Sequence, residues 1–169
     1  MKAESASENI AKEDLLKDLL LLVHETFEGS PEDGSAYLDR GTGVFSTVSG
    51  LGSGEVSADL NGTSIVAHVE HLKFYLDRLV EFIEGRTEPV NWDQSWLIDT
   101  VDDQEWEVLK AGLRKSYENV LRCFAEVPVW DQDKIGEAMA IIAHSAYHLG
   151  AIRQMAKAVR PQDKGKRQD

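Results

Sequence analysis

Four amphipathic stretches constrain the fold most strongly, because their apolar residues recur every three or four positions. That spacing places the apolar side chains on one face of an α-helix. Capping residues and helix breakers set the approximate bounds of these predicted helices: Glu8 to Phe27, Thr63 or Ser64 to the stop at Gly85, Asp102 or Asp103 to Pro128, and Asp131 to Val159. With no convincing alternating strand, four long helices predict an all-α four-helix bundle.

The same spacing predicts which residues face the core of the bundle. In the first and second helices these are Leu16, Leu20, Val23, Phe27, Ile65, Val69, Leu72, Leu76, Leu79 and Ile83. In the third and fourth they are Trp106, Leu109, Leu113, Tyr117, Val120, Leu121, Phe124, Ile135, Met139, Ile142, Ala146, Leu149, Ile152, Met155 and Ala156. Cys123 is also expected in the core, and as the sole cysteine it excludes an internal disulfide.

Two connections between the predicted helices are long. Residues 29–60 contain seven glycines and predict an extended connection between helices 1 and 2, with at most one short helix. The loop before the third helix carries Trp92 and Trp96. Large aromatic side chains need an apolar surface to cover, so we expect this loop to form a lid over one end of the bundle.

Length and charge restrict the class of protein. A chain of 169 residues fits one domain, which we expect to span residues 1–160, followed by a polar tail over 161–169 with Lys164, Lys166 and Arg167. The net charge of −12 argues against nucleic acid as a partner. The apolar stretches are too short or too charged to cross a membrane, so we expect a cytoplasmic protein without a membrane partner.

Four of the five histidines form two pairs inside the predicted helices, His68 with His71 and His144 with His148. Spacings of three and four place the two imidazoles of each pair on one helical face, where they can reach a single metal ion. Core histidines bonded to a carbonyl or carboxylate are the alternative. His24 lies off the apolar line of its helix, and we expect it to be partly exposed.

The sequences SIVAHVEHLKFYL in the second helix and HSAYHLGAIRQM in the fourth resemble the DinB-like superfamily. The resemblance implies a DinB-like bundle and an open metal site with one histidine from the second helix and two from the last. Carried onto this chain, the ligands are His71, His144 and His148. His68 is the alternative ligand or a residue that contacts a ligand without binding the metal. Where many members have Gly-Gln after the last histidine, this chain has Gly150 and Ala151.

The resemblance implies a metal-dependent enzyme that activates water or a low-molecular-weight thiol, as a thiol transferase or a hydrolase-like protein. Zinc is the expected metal, with nickel, manganese or iron as alternatives. Tyr147 is a candidate for orienting a substrate. The competing interpretations are a non-catalytic, stress-associated metal-binding bundle and a helical interaction scaffold. Aromatic residues outside the apolar faces, such as Phe74 and Trp130, predict a homodimer.

Overall fold

The computed structural model describes residues 11–32 and 34–160, and regular secondary structure in that part of the chain is entirely helical. The elements are α1 (Lys12–Glu28), α2 (Val44–Ser49), α3 (Ser53–Val56), α4 (Ile65–Ile83), a 3₁₀ helix (Trp92–Trp96), α5 (Asp103–Glu126) and α6 (Gln132–Val159). The all-α prediction is therefore confirmed. The predicted tail over 161–169 and its basic cluster lie outside the described residues.

The four long helices, α1, α4, α5 and α6, enclose one apolar core. Helix α4 packs against both α5 and α6, and α1 packs against the same two helices. The largest fully buried apolar side chains come from all four: Trp106, Phe27, Phe124, Ile65, Leu72, Leu76, Ile83, Leu113, Ile141, Leu149 and Ile152. Cys123 is buried as expected, and burial raises the pKa of its thiol to about 11. The contact between α4 and α6 brings the two histidine pairs together.

Side-chain caps fix where three of these helices begin. The Ser64 hydroxyl accepts from the N–H of Ala67 at 3.2 Å, and the Asp131 carboxylate accepts from the N–H of Lys134 at 3.0 Å. Asp102 starts α5 with a capping box. These caps confirm the predicted starts. Helix α1 instead begins at Lys12, and the predicted start at Glu8 lies outside the described residues.

The connection between α1 and α4 contains two short helices, α2 and α3, where the sequence predicted at most one. It is attached to α1 through the buried carboxylate of Glu25, which accepts hydrogen bonds at 2.5–2.9 Å. The donors are the Ser35 hydroxyl and the N–H groups of Ala36, Tyr37 and Leu38. Burial raises the pKa of Glu25, but these bonds outweigh it and lower the pKa to about 2.

One predicted buried position in α6 is wrong. Met139 is 54% exposed, whereas Ala138 and Ile141 are fully buried. Residues 138–142 read Ala-Met-Ala-Ile-Ile, an uninterrupted apolar run that does not indicate which side of the helix faces the core. The face is set by packing against α4 and α1.

No helix within residues 11–32 and 34–160 combines the length and the apolar character that crossing a membrane requires.

Candidate metal centre

The histidine pairs of α4 and α6 meet where these two helices pack together. One nitrogen from each of His71, His144 and His148 lies within 4.8 Å of the other two. Nitrogens bound to one tetrahedral zinc ion at about 2.1 Å are about 3.4 Å apart, so the three imidazoles would have to move closer together to share an ion. The three residues named from the family resemblance are thus the three that the fold brings together.

His71 is held in place by residues of the 3₁₀ helix. Its Nδ1 lies 2.7 Å from the hydroxyl oxygen of Ser95, which in turn donates to the carbonyl oxygen of Trp92 at 2.6 Å. The ring stacks on Trp96, with centroids 4.1 Å apart and planes 19° from parallel. Both interactions fix the orientation of the His71 ring.

His144 presents a buried nitrogen without a partner. Its ring stacks on Tyr75 at a centroid distance of 3.5 Å, while its Nε2 makes no hydrogen bond within the described part of the chain. A buried polar atom that lacks a partner carries a desolvation cost. Coordination to a metal ion would satisfy this nitrogen, so the donor set fits a metal.

His68 contacts the group from one side. Its Nδ1 lies 2.9 Å from Nδ1 of His148, a distance at which one of the two nitrogens must carry a hydrogen. If His148 donates that hydrogen, its Nε2 keeps the lone pair that a metal needs. His68 thus lies beside His148 and outside the three-residue group.

Burial keeps the histidines neutral. Desolvation, with a smaller contribution from neighbouring histidines, lowers the pKa of His144 to about 4 and that of His148 to about 3. Desolvation also lowers the pKa of His68 and His71, and His68 lowers that of His71 further. Neutral imidazoles are the form that binds metals, so at neutral pH the cluster offers its lone pairs without first losing protons.

The other residues considered from the sequence lie at the edge of this centre or away from it. His24 is exposed, and its Nδ1 pairs with the hydroxyl of Tyr117 at 2.7 Å. Tyr147 is 69% exposed, and its ring lies edge-on to His148 with centroids 5.0 Å apart. The Tyr147 side chain is therefore an exposed neighbour of His148.

The loop with two tryptophans has a different position from the one expected. It packs along α4, where Trp96 covers His71, and not across an end of the bundle. Sequence reasoning missed Ser95 and Tyr75 as neighbours of the histidines. The two tryptophans were the available signal for Ser95, since they indicated that this loop covers something. Tyr75 gave a weaker signal, four positions after His71 on the same helix.

Compared with known proteins, the chain matches no protein-family model, no curated protein and no solved structure. The DinB-like resemblance is therefore carried by the two histidine-containing sequences in α4 and α6 and stays a prediction.

Proposed function

We propose that His71, His144 and His148 bind one divalent metal ion. The observation that carries the proposal is the convergence of three neutral imidazoles, with one nitrogen of each within 4.8 Å of the other two. In addition, the buried Nε2 of His144 has no hydrogen-bond partner within the described part of the chain. Histidines retained only for packing would be expected to have their polar atoms paired. Zinc fits this donor set best, and nickel, manganese and iron are the alternatives, since imidazole binds all of them.

Three protein ligands are characteristic of a catalytic metal site, which keeps one coordination position for water or substrate. A metal held there supplies a bound water or thiol of lowered pKa, which is a nucleophile at neutral pH. The chain contributes the surrounding groups. Trp96 limits the access of solvent to His71, and the exposed side chain of Tyr147, which lies against His148, is the candidate for orienting a substrate.

The reaction we propose is the one implied by the DinB-like resemblance: transfer to a low-molecular-weight thiol, or hydrolysis. The feature that supports it is the order of the histidine helices along the chain, which matches the resemblance. The proposed substrate is a small molecule, because the net charge of −12 disfavours nucleic acid.

Metal stoichiometry is the first test. Protein purified without an affinity tag should bind one Zn²⁺ per chain, measured by isothermal titration and by elemental analysis after gel filtration. Replacement of His71, His144 or His148 by Ala should abolish stoichiometric binding, whereas His68→Ala should only weaken it. His24→Ala is the matched control, because this exposed histidine lies on α1, and it should bind like wild type.

Loss of Zn²⁺ in His68→Ala with retention in His71→Ala would show that the ligand on α4 is misassigned. Loss of binding in His24→Ala as well would show that the signal comes from unspecific histidine binding.

Turnover is a separate test. The Zn²⁺-loaded protein should accelerate transfer of a bacillithiol-like or mycothiol-like thiol to an electrophilic acceptor, or hydrolysis of an ester, and His144→Ala should remove the acceleration. Stoichiometric metal without turnover across both reaction classes would instead support the non-catalytic metal-binding bundle.

A further inference from the structure

Ser95 is in direct contact with His71, although it belongs to neither of the helices that carry the histidines. It lies in the 3₁₀ helix Trp92–Trp96, and its side chain is fully buried at 0% exposure. Its hydroxyl takes part in two short hydrogen bonds, one with Nδ1 of His71 at 2.7 Å and one with the carbonyl oxygen of Trp92 at 2.6 Å. The histidine ring, the hydroxyl and the carbonyl thus form a continuous chain.

The direction of this chain follows from the number of hydrogens. A serine hydroxyl has one hydrogen, and a backbone carbonyl can only accept. The hydroxyl hydrogen therefore goes to Trp92, and the contact with His71 is a hydrogen bond only if the imidazole donates from Nδ1. A neutral imidazole has one N–H, so with the hydrogen on Nδ1 the Nε2 atom keeps its lone pair.

We infer that Ser95 is a positioning residue for the metal centre. It holds His71 in the tautomer whose Nε2 lone pair can bind a metal, which is the role that outer-shell hydrogen-bond acceptors have at histidine metal sites in general. The inference rests on the proposed function, since it assigns a role toward the same ion. It extends the site from α4 and α6 to a third element, the 3₁₀ helix.

Two neighbouring contacts support this role. Trp96 stacks on His71, so ring orientation and tautomer are fixed by adjacent residues of one short helix. The bond from Ser95 to Trp92 spans three residues, so the geometry of the 3₁₀ helix aims the hydroxyl oxygen at His71. With the other tautomer, the Ser95 hydroxyl would have to turn its hydrogen to Nδ1 of His71 and would lose its hydrogen bond to the carbonyl oxygen of Trp92, which is unfavourable.

Ser145 provides a matched control. Like Ser95 it is fully buried, and it lies between two of the proposed ligands on α6. Its hydroxyl, however, makes no hydrogen bond within residues 11–32 and 34–160. Ser95→Ala and Ser145→Ala therefore remove the same atom from equally buried positions near the site, and only the first removes a partner of a ligand.

The experiment measures tautomers and Zn²⁺ affinity separately. Long-range ¹H–¹⁵N spectra of metal-free protein at pH 7.5, with ¹⁵N-labelled histidine, should show His71 with its hydrogen on Nδ1 in wild type and in Ser145→Ala. Ser95→Ala should populate both tautomers. The dissociation constant for Zn²⁺, measured by competition with a chromophoric chelator, should rise roughly 10–100-fold in Ser95→Ala and stay unchanged in Ser145→Ala.

Two results would overturn the inference: a hydrogen on Nε2 of His71 in the wild-type protein, or unchanged Zn²⁺ affinity in Ser95→Ala. An equal loss of affinity in Ser145→Ala would do the same, because it would show a general effect of cavities near the site. If wild type binds no Zn²⁺ while the tautomer of His71 depends on Ser95, the metal proposal fails and the hydrogen-bond assignment stands.

Discussion

Single residues decide how the long connection after α1 is attached to that helix. Glu25 is 1% exposed, and its carboxylate accepts four hydrogen bonds from residues 35–38. An amide in its place has only one oxygen and brings two N–H donors that face other donors. Glu25→Gln should therefore lower the free energy of unfolding by roughly 2–4 kcal/mol at pH 7, measured by urea denaturation.

The pH dependence of that difference follows from the lowered pKa. The unfolded chain takes up a proton at Glu25 near pH 4.5, and the folded chain only at about 2, so the stabilisation is complete above pH 4.5 and is lost as the pH falls toward 2. The difference in the free energy of unfolding between wild type and Glu25→Gln should therefore become smaller as the pH falls from 4.5 toward 2. Glu28→Gln, an exposed change in the same helix, should alter stability by less than about 1 kcal/mol. A gap that is constant from pH 7 to pH 3 would contradict the assignment.

For single residues, the sequence predicts which side chains share a face of a helix better than it predicts their hydrogen-bond partners in loops. The spacing of His144 and His148 fixes that both lie on one face, whatever the rest of the chain does. Ser95 depends on the conformation of a loop, and the donors to Glu25 lie ten to thirteen residues away in another. No periodicity connects such groups, so they could not be predicted.

Among the secondary-structure elements, α1 and α2 meet at a contact between two backbones. A Cβ atom added at Gly43 would lie 2.5 Å from the nitrogen of Gly29 and 2.8 Å from the carbonyl oxygen of Phe27. Backbone atoms cannot rotate away as a flexible side chain can. Gly43→Ala should therefore destabilise the protein by roughly 2–3 kcal/mol in thermal or urea denaturation.

Gly136 is the matched control for that change. It is exposed within α6, and an added Cβ would meet nothing within 4 Å. Gly136→Ala should stabilise the protein by about 0.5–1 kcal/mol, because alanine loses less backbone entropy than glycine in a helix. Equal stability of the two variants would show that α2 does not pack closely on the end of α1.

The helices themselves could be predicted because caps, breakers and periodicity agree. Ser64 and Asp102 cap the first turns of α4 and α5. Gly85, which has a positive φ of 105°, follows the end of α4. The two short helices of the connection could not be predicted, since four to six residues are too few to show a helical period. The 3₁₀ helix has only five residues as well, so neither it nor its contact with α4 could be predicted from the sequence.

Association is the first question for the whole molecule. We predict a homodimer, which stays an expectation from the sequence. Phe74 and Trp130 are partly buried, against Trp92 and Phe124 respectively. The more exposed apolar side chains include Leu97 at 75% and Val108 at 66%, which line one groove of about 770 Å³.

Light scattering at micromolar concentration should give twice the chain mass of 18.8 kDa. Val108→Lys should shift the protein toward monomer if the groove is part of the interface, while the exposed Met139→Lys on α6 should not. A monomeric wild type at these concentrations would exclude the dimer.

Whether the protein needs the metal in order to fold is a second question for the whole molecule. The core holds large apolar side chains from all four long helices, so burial at about 25 cal/mol per Å² should keep the metal-free protein folded, unlike a zinc finger. Zn²⁺ should still raise the melting temperature, because it binds the folded chain preferentially.

The pH at which Zn²⁺ no longer raises the melting temperature depends on the pKa values of the histidines that bind it. An ordinary imidazole with a pKa of about 6.5 would be mostly protonated at pH 5.5, which would weaken metal binding. In the folded protein the pKa of His144 is about 4 and that of His148 about 3, so protons compete only at lower pH. The unfolded chain, by contrast, takes up these protons near pH 6.5, so the metal-free protein should lose stability as the pH falls below that value.

Circular dichroism melts of metal-free protein, with and without added Zn²⁺, should therefore show a similar increase in melting temperature at pH 7.5 and 5.5 and a much smaller one near pH 3.5. An increase lost by pH 5.5 would mean that the histidines are not desolvated, and a metal-free protein without helix at pH 7.5 would mean that the core does not hold the fold by itself.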